Sequence, residues 1–289
     1  MLLYLKLLLC AVFWGGTFIA GRIAAGQAAP FALAFLRFGV ATVLLWIILR
    51  QREGAVPRLH GKQLWGVLLL GLTGIFAYNA LFFAGLQTVP ASRAAVIVTN
   101  NPIVIAIGAA LFLGEPLSWR KAGGILLSVT GAVLAISRGN PANLWAEGLS
   151  WGDLALLGCL LSWAAYSLLG KVVMRGLSPL AAVTWSCTTG AIMLLPFAIW
   201  EGMLTAMPGY PASVWVATAY LAVCGTVVGF TWFYEAVLAI GAAKAGVFIN
   251  FVPVCAIISA WLLLGETLPL SLLLGAALVI TGVYLTNKG

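Results

Sequence analysis

The stretch ALFLGEPL at residues 110–117 returns 151 positions later as WLLLGETL at 261–268. Each copy closes one long apolar run and precedes another. The echo extends outward at the same offset: Gly39 matches Gly190, Gly74 matches Gly225, Phe82 matches Phe233, Arg93 matches Lys244, and Pro102 matches Pro253. Beyond the two phrases, Gly124 matches Gly275 and Gly131 matches Gly282, while near the start Cys10 matches Cys159 and Trp14 matches Trp163 at an offset of 149. So many glycines and prolines in register mark an internal duplication.

What is duplicated is a membrane unit. The chain is 289 residues long, 63% hydrophobic and 8% charged. A soluble domain carries charge on roughly a quarter of its residues, so this chain lacks the means to cover itself in water. Apolar runs long enough to cross a bilayer recur from end to end, with approximate spans 2–21, 31–50, 64–87, 92–113, 120–137, 151–170, 179–199, 213–237, 245–264 and 270–287. The fold class is therefore all-α integral membrane, with ten transmembrane helices as two inverted five-helix repeats. The repeats are placed at 1–138 and 151–289, with 139–150 as connector. The first run could pass for a signal peptide, but its counterpart at 151–167 lies mid-chain, so it is expected to stay as a helix.

The formal charge of +8 does not point to nucleic acid, because the basic residues sit in short connections. With the N-terminus inside, eleven lysines and arginines fall on the cytoplasmic side (Lys6, Arg50, Arg52, Arg58, Lys62, Arg120, Lys121, Lys171, Arg175, Lys244, Lys288) and three outside (Arg22, Arg93, Arg138). The positive-inside rule then places both termini in the cytoplasm. Five helices per repeat is an odd number, so the second repeat crosses in the opposite sense. Inverted repeats of this kind recur in secondary transporters, whose sites lie near the midplane between the repeats.

The segments WGGTFIAGRIAAGQAAPFALAFLRFGVATVLL (14–45) and SRAAVIVTNNPIVIAIGAALFLGEPLSWRKAGGILLSVTGAVL (92–134) resemble an EamA-type repeat. The second copy runs from SWAAYSLLGKVVMRGLSPL (162–180) through AAKAGVFINFVPVCAIISAWLLLGETLPLSLLLGAALVITGVYL (242–285). Together they are similar to ten-helix members of the drug/metabolite transporter superfamily, within it to bacterial amino-acid and metabolite exporters. The resemblance implies a bacterial inner-membrane protein that exports small metabolites, with helices 1, 3, 4, 6, 8 and 9 around a central cavity. The second copy departs from the pattern: Arg37 of the LRF motif aligns with Thr188, and the WGG opening becomes Trp163-Ala164-Ala165.

Polar side chains in hydrocarbon are costly unless they face protein or water, so they are the first functional candidates. Asn100 and Asn101 beside Pro102, and Asn250 near Pro253, serve either as amide glue between helices or as solute ligands. Tyr78, Asn79 and Phe83 in the third span, Tyr234 in the eighth, and Trp14, Trp163 and Tyr166 are candidate cavity aromatics and amides, with ordinary packing as the alternative. Such a lining suits neutral or zwitterionic solutes. Lys244 could attract a carboxylate or anchor the helix at the interface. Arg37 reads as a structural ion pair or as snorkelling to the surface, and Glu235 as a partner for Lys244.

His60, the single histidine, sits in a basic loop, and no HExxH, GxSxG or P-loop pattern occurs. The five cysteines, all in apolar segments without metal spacing, read as small packing residues. The expectation is a secondary carrier that is not an enzyme, holds no cofactor, and works in the lipid bilayer on a small-molecule substrate, with a monomer sufficient. Neutral or aromatic amino acids are the first cargo; nucleobases, sugars or lipophilic drugs are the alternative, and an intramembrane enzyme the remote one. Gly114 and Gly265 read as helix stops. Glu115 and Glu266 then precede the next helices as hairpin punctuation on opposite faces.

Overall fold

Serine caps fix three of the helix starts. Ser118 accepts a bond from the Lys121 amide at 3.2 Å and Ser178 from the Ala181 amide at 3.0 Å. Ser150 and Asp153 exchange bonds across the first turn of their helix. Pro30 and Pro179 occupy first helical positions, where no amide is needed. The apolar runs that follow must pair their own backbone groups in hydrocarbon, which makes them helical.

The computed structural model describes residues 2–54, 59–113, 118–140, 142, 149–173, 177–240 and 248–288. The first half holds α1 (Leu2–Ala25), α2 (Pro30–Glu53), α3 (Lys62–Thr88), α4 (Ala91–Val98 and Asn101–Leu113) and α5 (Trp119–Ile136). The second half holds α6 (Trp151–Val173), α7 (Pro179–Trp200), α8 (Ala212–Tyr220 through Gly229–Ile240), α9 (Phe248–Phe251 and Val252–Leu264) and α10 (Leu270–Lys288). Among the described residues, eight helices are long and apolar enough to cross a membrane, and Val252–Leu264 and Leu270–Thr286 are shorter apolar ones. The fold is all-α, built from two five-helix repeats.

The halves are interleaved. α1 packs on α8 and α9 of the other half, while α6 packs on α3 and α4; α2 lies against α7, and α5 against α10. The last pair is the closest. A Cβ on Gly131 would sit 2.5 Å from the Gly275 carbonyl oxygen, and one on Gly282 2.5 Å from that of Gly124. The matched glycines thus let the backbones of α5 and α10 approach closely.

Sequence periodicity gave no warning of the irregular turns. Gly71–Ala77 inside α3 and Leu221–Val228 inside α8 are wide π turns, at matching places in the two halves. α4 breaks at Thr99-Asn100 ahead of Pro102, whose missing amide fits a helix restart, and α9 opens with a 3₁₀ turn at Phe248–Phe251 ahead of Pro253.

Just past each π turn, a carbonyl accepts a thiol from the other half. The Cys10 thiol donates to the Gly229 carbonyl at 3.5 Å, and the Cys159 thiol to the Tyr78 carbonyl at 3.0 Å. Cys10 and Cys159 are repeat mates, and so are Gly229 and Tyr78. The contact of Gly225 with Thr17 likewise repeats that of Gly74 with Tyr166.

Gly265 ends α9 in the left-handed region at φ +64°, as a helix stop should. Glu266 was expected to serve the N-terminus of the following helix. Instead its carboxylate accepts the Ala91 amide at 2.7 Å, the Ser92 amide at 3.0 Å and the Ser92 hydroxyl at 2.5 Å. It caps α4 in the opposite half, because α4 presents unpaired amides beside the hairpin. Gly114 and Glu115 lie outside the described residues.

Candidate functional site

Trp14 is twelve residues into α1 and Trp163 twelve into α6. At 1.5 Å per residue each lies about 18 Å from its helix start, near the middle of a bilayer-thick bundle. A cavity of about 270 Å³ opens between them. Its wall draws on α1, α2, α3, α4, α6, α8 and α9, from both halves.

Of the candidates read from sequence, Trp14, Tyr78, Asn79, Asn101 and Trp163 line this cavity. Trp14 donates through Nε1 to the Gly225 carbonyl, inside the π turn of α8, at 2.9 Å, and packs on Phe233 at 5.3 Å. Trp163 packs on Tyr78 at 5.2 Å. The Asn101 Oδ1 is buried without a hydrogen-bond partner.

Other candidates lie elsewhere. Phe83 is fully buried in the core, edge-on to Phe82, because it faces α1 on the side of α3 away from the opening. Asn100 is amide glue: its Nδ2 returns to the Val96 and Ile97 carbonyls, and its Oδ1 accepts the Ser128 hydroxyl at 2.6 Å. Tyr166 is buried behind the lining, where Gly74 leaves room for its ring beside Trp163. Lys244 lies outside the described residues, as do the side chains of Tyr234 and Asn250.

The residue that sequence reading undervalued is Arg37. It does not snorkel, and it forms no ion pair among the described residues. It is 7% exposed, lines the cavity, and lies in none of the salt bridges among the described residues. Its Nη1 donates to Asn79 Oδ1 at 3.0 Å, its Nε to Thr226 Oγ1 at 3.1 Å, and its guanidinium lies 4.8 Å from the Phe38 ring centre. The Nη2 group has no hydrogen-bond partner among the described residues. Asn79 in turn donates to the Ile75 carbonyl at 2.9 Å and Thr226 to that of Leu221 at 3.0 Å, so Arg37 bridges the two π turns. The usable signal was Arg37 itself, a charge mid-helix on one copy of a duplication.

Ion pairs close the two ends of the bundle. At the end bearing the N-terminus, Glu235 bonds Lys6 at 2.8 Å and Arg52 at 2.6 Å, joining α8 to α1 and α2. These two are its partners among the described residues, and Lys244, the partner expected from sequence, lies outside them. At the other end, Arg93 of α4 grips both oxygens of Asp153 of α6 at 2.7 and 2.8 Å. A second cavity of about 170 Å³ runs beside Arg52, Ser178 and Glu235, and Phe230 borders both cavities.

Two interleaved repeats around a midplane cavity, with ion pairs at either end, define a membrane transporter of the inverted-repeat class. The particular family follows: the model of the EamA-like transporter family matches residues 1–137 and 150–288, and the chain belongs to it. A Bacillus subtilis (strain 168) protein described as the uncharacterized transporter YyaM is 32% identical over 99% of this chain and 93% of its own length. A probable terminal-alkyne amino-acid exporter from Streptantibioticus cattleyicolor is 28% identical, over 98% of this chain and 92% of its own. A crystal structure 20% identical in sequence superposes with a TM-score of 0.66, covering 97% of this chain and 94% of that one, and supports the fold.

Proposed function

We propose that this transporter is a secondary carrier that exports small metabolites with apolar side chains, neutral or aromatic amino acids first among them, by alternating access. The observation that carries the reading is the midplane cavity, walled by both halves and lined with aromatic rings and a few polar groups. Interleaved halves whose contacts repeat under inversion can exchange roles, so the same cavity can open in turn to either side. The ion pairs Lys6–Glu235–Arg52 and Arg93–Asp153 are placed to break alternately. The Streptantibioticus relative named as an amino-acid exporter favours this cargo. The protein sits in the bacterial inner membrane with both termini in the cytoplasm, acts as a monomer, and needs neither a cofactor nor a catalytic step.

Substrate counterflow in proteoliposomes tests this. Purified protein should accumulate labelled phenylalanine, leucine or tryptophan against an unlabelled internal pool, with saturation. Lack of saturable flux for amino acids, nucleobases, sugars and lipophilic drugs alike, from folded protein, would sink the carrier reading.

A further inference from the structure

Arg37 is a cation inside the bundle with no ion-pair partner among the described residues. Burying an unpaired charge costs several kcal/mol, and neutral acceptors offset that only in part. Here the neutral acceptors are Asn79 and Thr226, which hold two of the guanidinium's three nitrogens and leave Nη2 free. The residue borders the cavity, so its missing partner can arrive from there.

A second open group lies in the same wall. Asn101 Oδ1 is buried, belongs to a residue lining the cavity, and accepts from no donor among the described residues. The wall thus offers one unfilled cationic donor and one unfilled acceptor. The same lining carries Phe230 and Phe233, which supply apolar faces. A solute that satisfies the whole lining has an anionic head, a hydrogen-bond donor near it, and an apolar tail.

We infer that Arg37 is the anchor for a carboxylate on the transported solute, fixing the head at the guanidinium and leaving the tail to the aromatic part of the lining. This rests on the carrier reading and narrows its substrate class to carboxylates with an apolar side chain. A guanidinium forks two parallel bonds to a carboxylate, and Arg37 is already positioned by its two protein bonds, so the solute meets a donor that need not reorganise. The free Nη2 supplies one of these bonds, and the other is shared from the Nη1 or Nε edge.

The test pairs solute chemistry with a variant that keeps the fold. In wild-type proteoliposomes loaded for phenylalanine counterflow, unlabelled phenylalanine should compete. Phenylalaninamide and 2-phenylethylamine, which keep the ring and lose the carboxylate, should compete about 100-fold more weakly, as in sites built to bond a polar group. Asn79→Asp is nearly isosteric and places a carboxylate of the protein on Arg37, doing the solute's part. It gains an ion pair with Arg37 and loses the amide's bond to the Ile75 carbonyl, so it should remain folded while phenylalanine flux falls about tenfold or more, since the anchor is occupied from within. Arg37→Lys keeps the charge without the fork and should retain acid preference at reduced rate.

Equal competition by acid, amide and amine in the wild type would overturn the anchor and leave the carrier standing. So would saturable flux restricted to solutes without a carboxylate, or full phenylalanine flux in a folded Asn79→Asp protein. If Asn79→Asp fails to fold, the wild-type competition decides alone. No saturable flux of any solute would remove the carrier reading itself, which the amide and amine arms distinguish.

Discussion

The two halves of the molecule share a scaffold but present different walls. Position by position at the cavity, Arg37 of the first half stands where the second has Thr188, Tyr78 where it has Gly229, Asn79 where it has Phe230, and Asn101 where it has Val252. Thr188 is occupied with local bonds, donating to the Thr184 carbonyl at 2.7 Å and accepting from Trp46 at 3.0 Å. The features repeated under inversion are mechanical: the π turns, the thiol bonds of Cys10 and Cys159, and the glycine contacts. Inversion fails in the cavity lining. A cavity lined alike by both halves would suit a symmetric cargo, whereas one with polar groups from the first half and phenylalanines from the second suits a solute with two unlike ends.

Making the walls alike is the severest way to break that asymmetry. Arg37→Thr gives both halves the same residue and should lower kcat/KM for carboxylate solutes by about 100-fold, the scale on which a site loses a solute it was built to bond. Stability should not fall in parallel, because a desolvated cation leaves together with its two bonds. Counterflow and thermal unfolding of the same preparation check this, and unfolding without selective loss of acid transport would make Arg37 a structural pin.

The scaffold, by contrast, should respond evenly. Gly131→Val and Gly275→Val each push a side chain onto the facing backbone, where a Cβ would already lie 2.5 Å and 2.7 Å from the partner's carbonyl oxygen. Overpacking of this kind costs about 1–3 kcal/mol, and the two losses should match closely. Thermal midpoints in detergent measure both. A large loss from one glycine alone would show that α5 and α10 are not equivalent.

A smaller effect is expected on the aromatic wall. Phe230→Asn copies the residue of the first half, Asn79, into the second. Aromatic solutes should lose about tenfold in kcat/KM relative to alanine or serine, the worth of a few apolar contacts. Unchanged preference would place the solute's tail elsewhere.

Much of the scaffold was readable in the sequence because it depends on features that recur along the chain. The apolar runs marked the spans, and the matched glycines fall where α5 and α10 meet. The π turns were invisible, since hydrophobic periodicity does not distinguish a turn of four residues from one of five; the paired Gly74 and Gly225 were noticed without their meaning. The site was less legible. Trp14, Tyr78, Asn79, Asn101 and Trp163 line the cavity, but Asn100, adjacent to Asn101, turns into the protein to meet Ser128. One residue is about 100° of helix, enough to separate a solute ligand from a structural amide. Arg37 was judged by its helix position alone, and its meaning depends on Asn79 and Thr226, which come from segments 42 and 189 residues away.

The gentlest test returns to the thiols. Cys10 and Cys159 each bond a carbonyl just past a π turn in the opposite half, and both are buried. Cys10→Ala and Cys159→Ala each remove one weak donor and a small volume, so each should cost about 1 kcal/mol. The Cys159 bond is the shorter, 3.0 Å against 3.5 Å, so its loss should be slightly the larger. Neither substitution touches the recognising wall, and neither should alter the preference for acid over amide in counterflow. A change in preference from Cys159→Ala would mean that its hold on the Tyr78 carbonyl positions the polar wall itself. The mechanical symmetry and the chemical asymmetry would then share one hydrogen bond instead of being carried by separate residues.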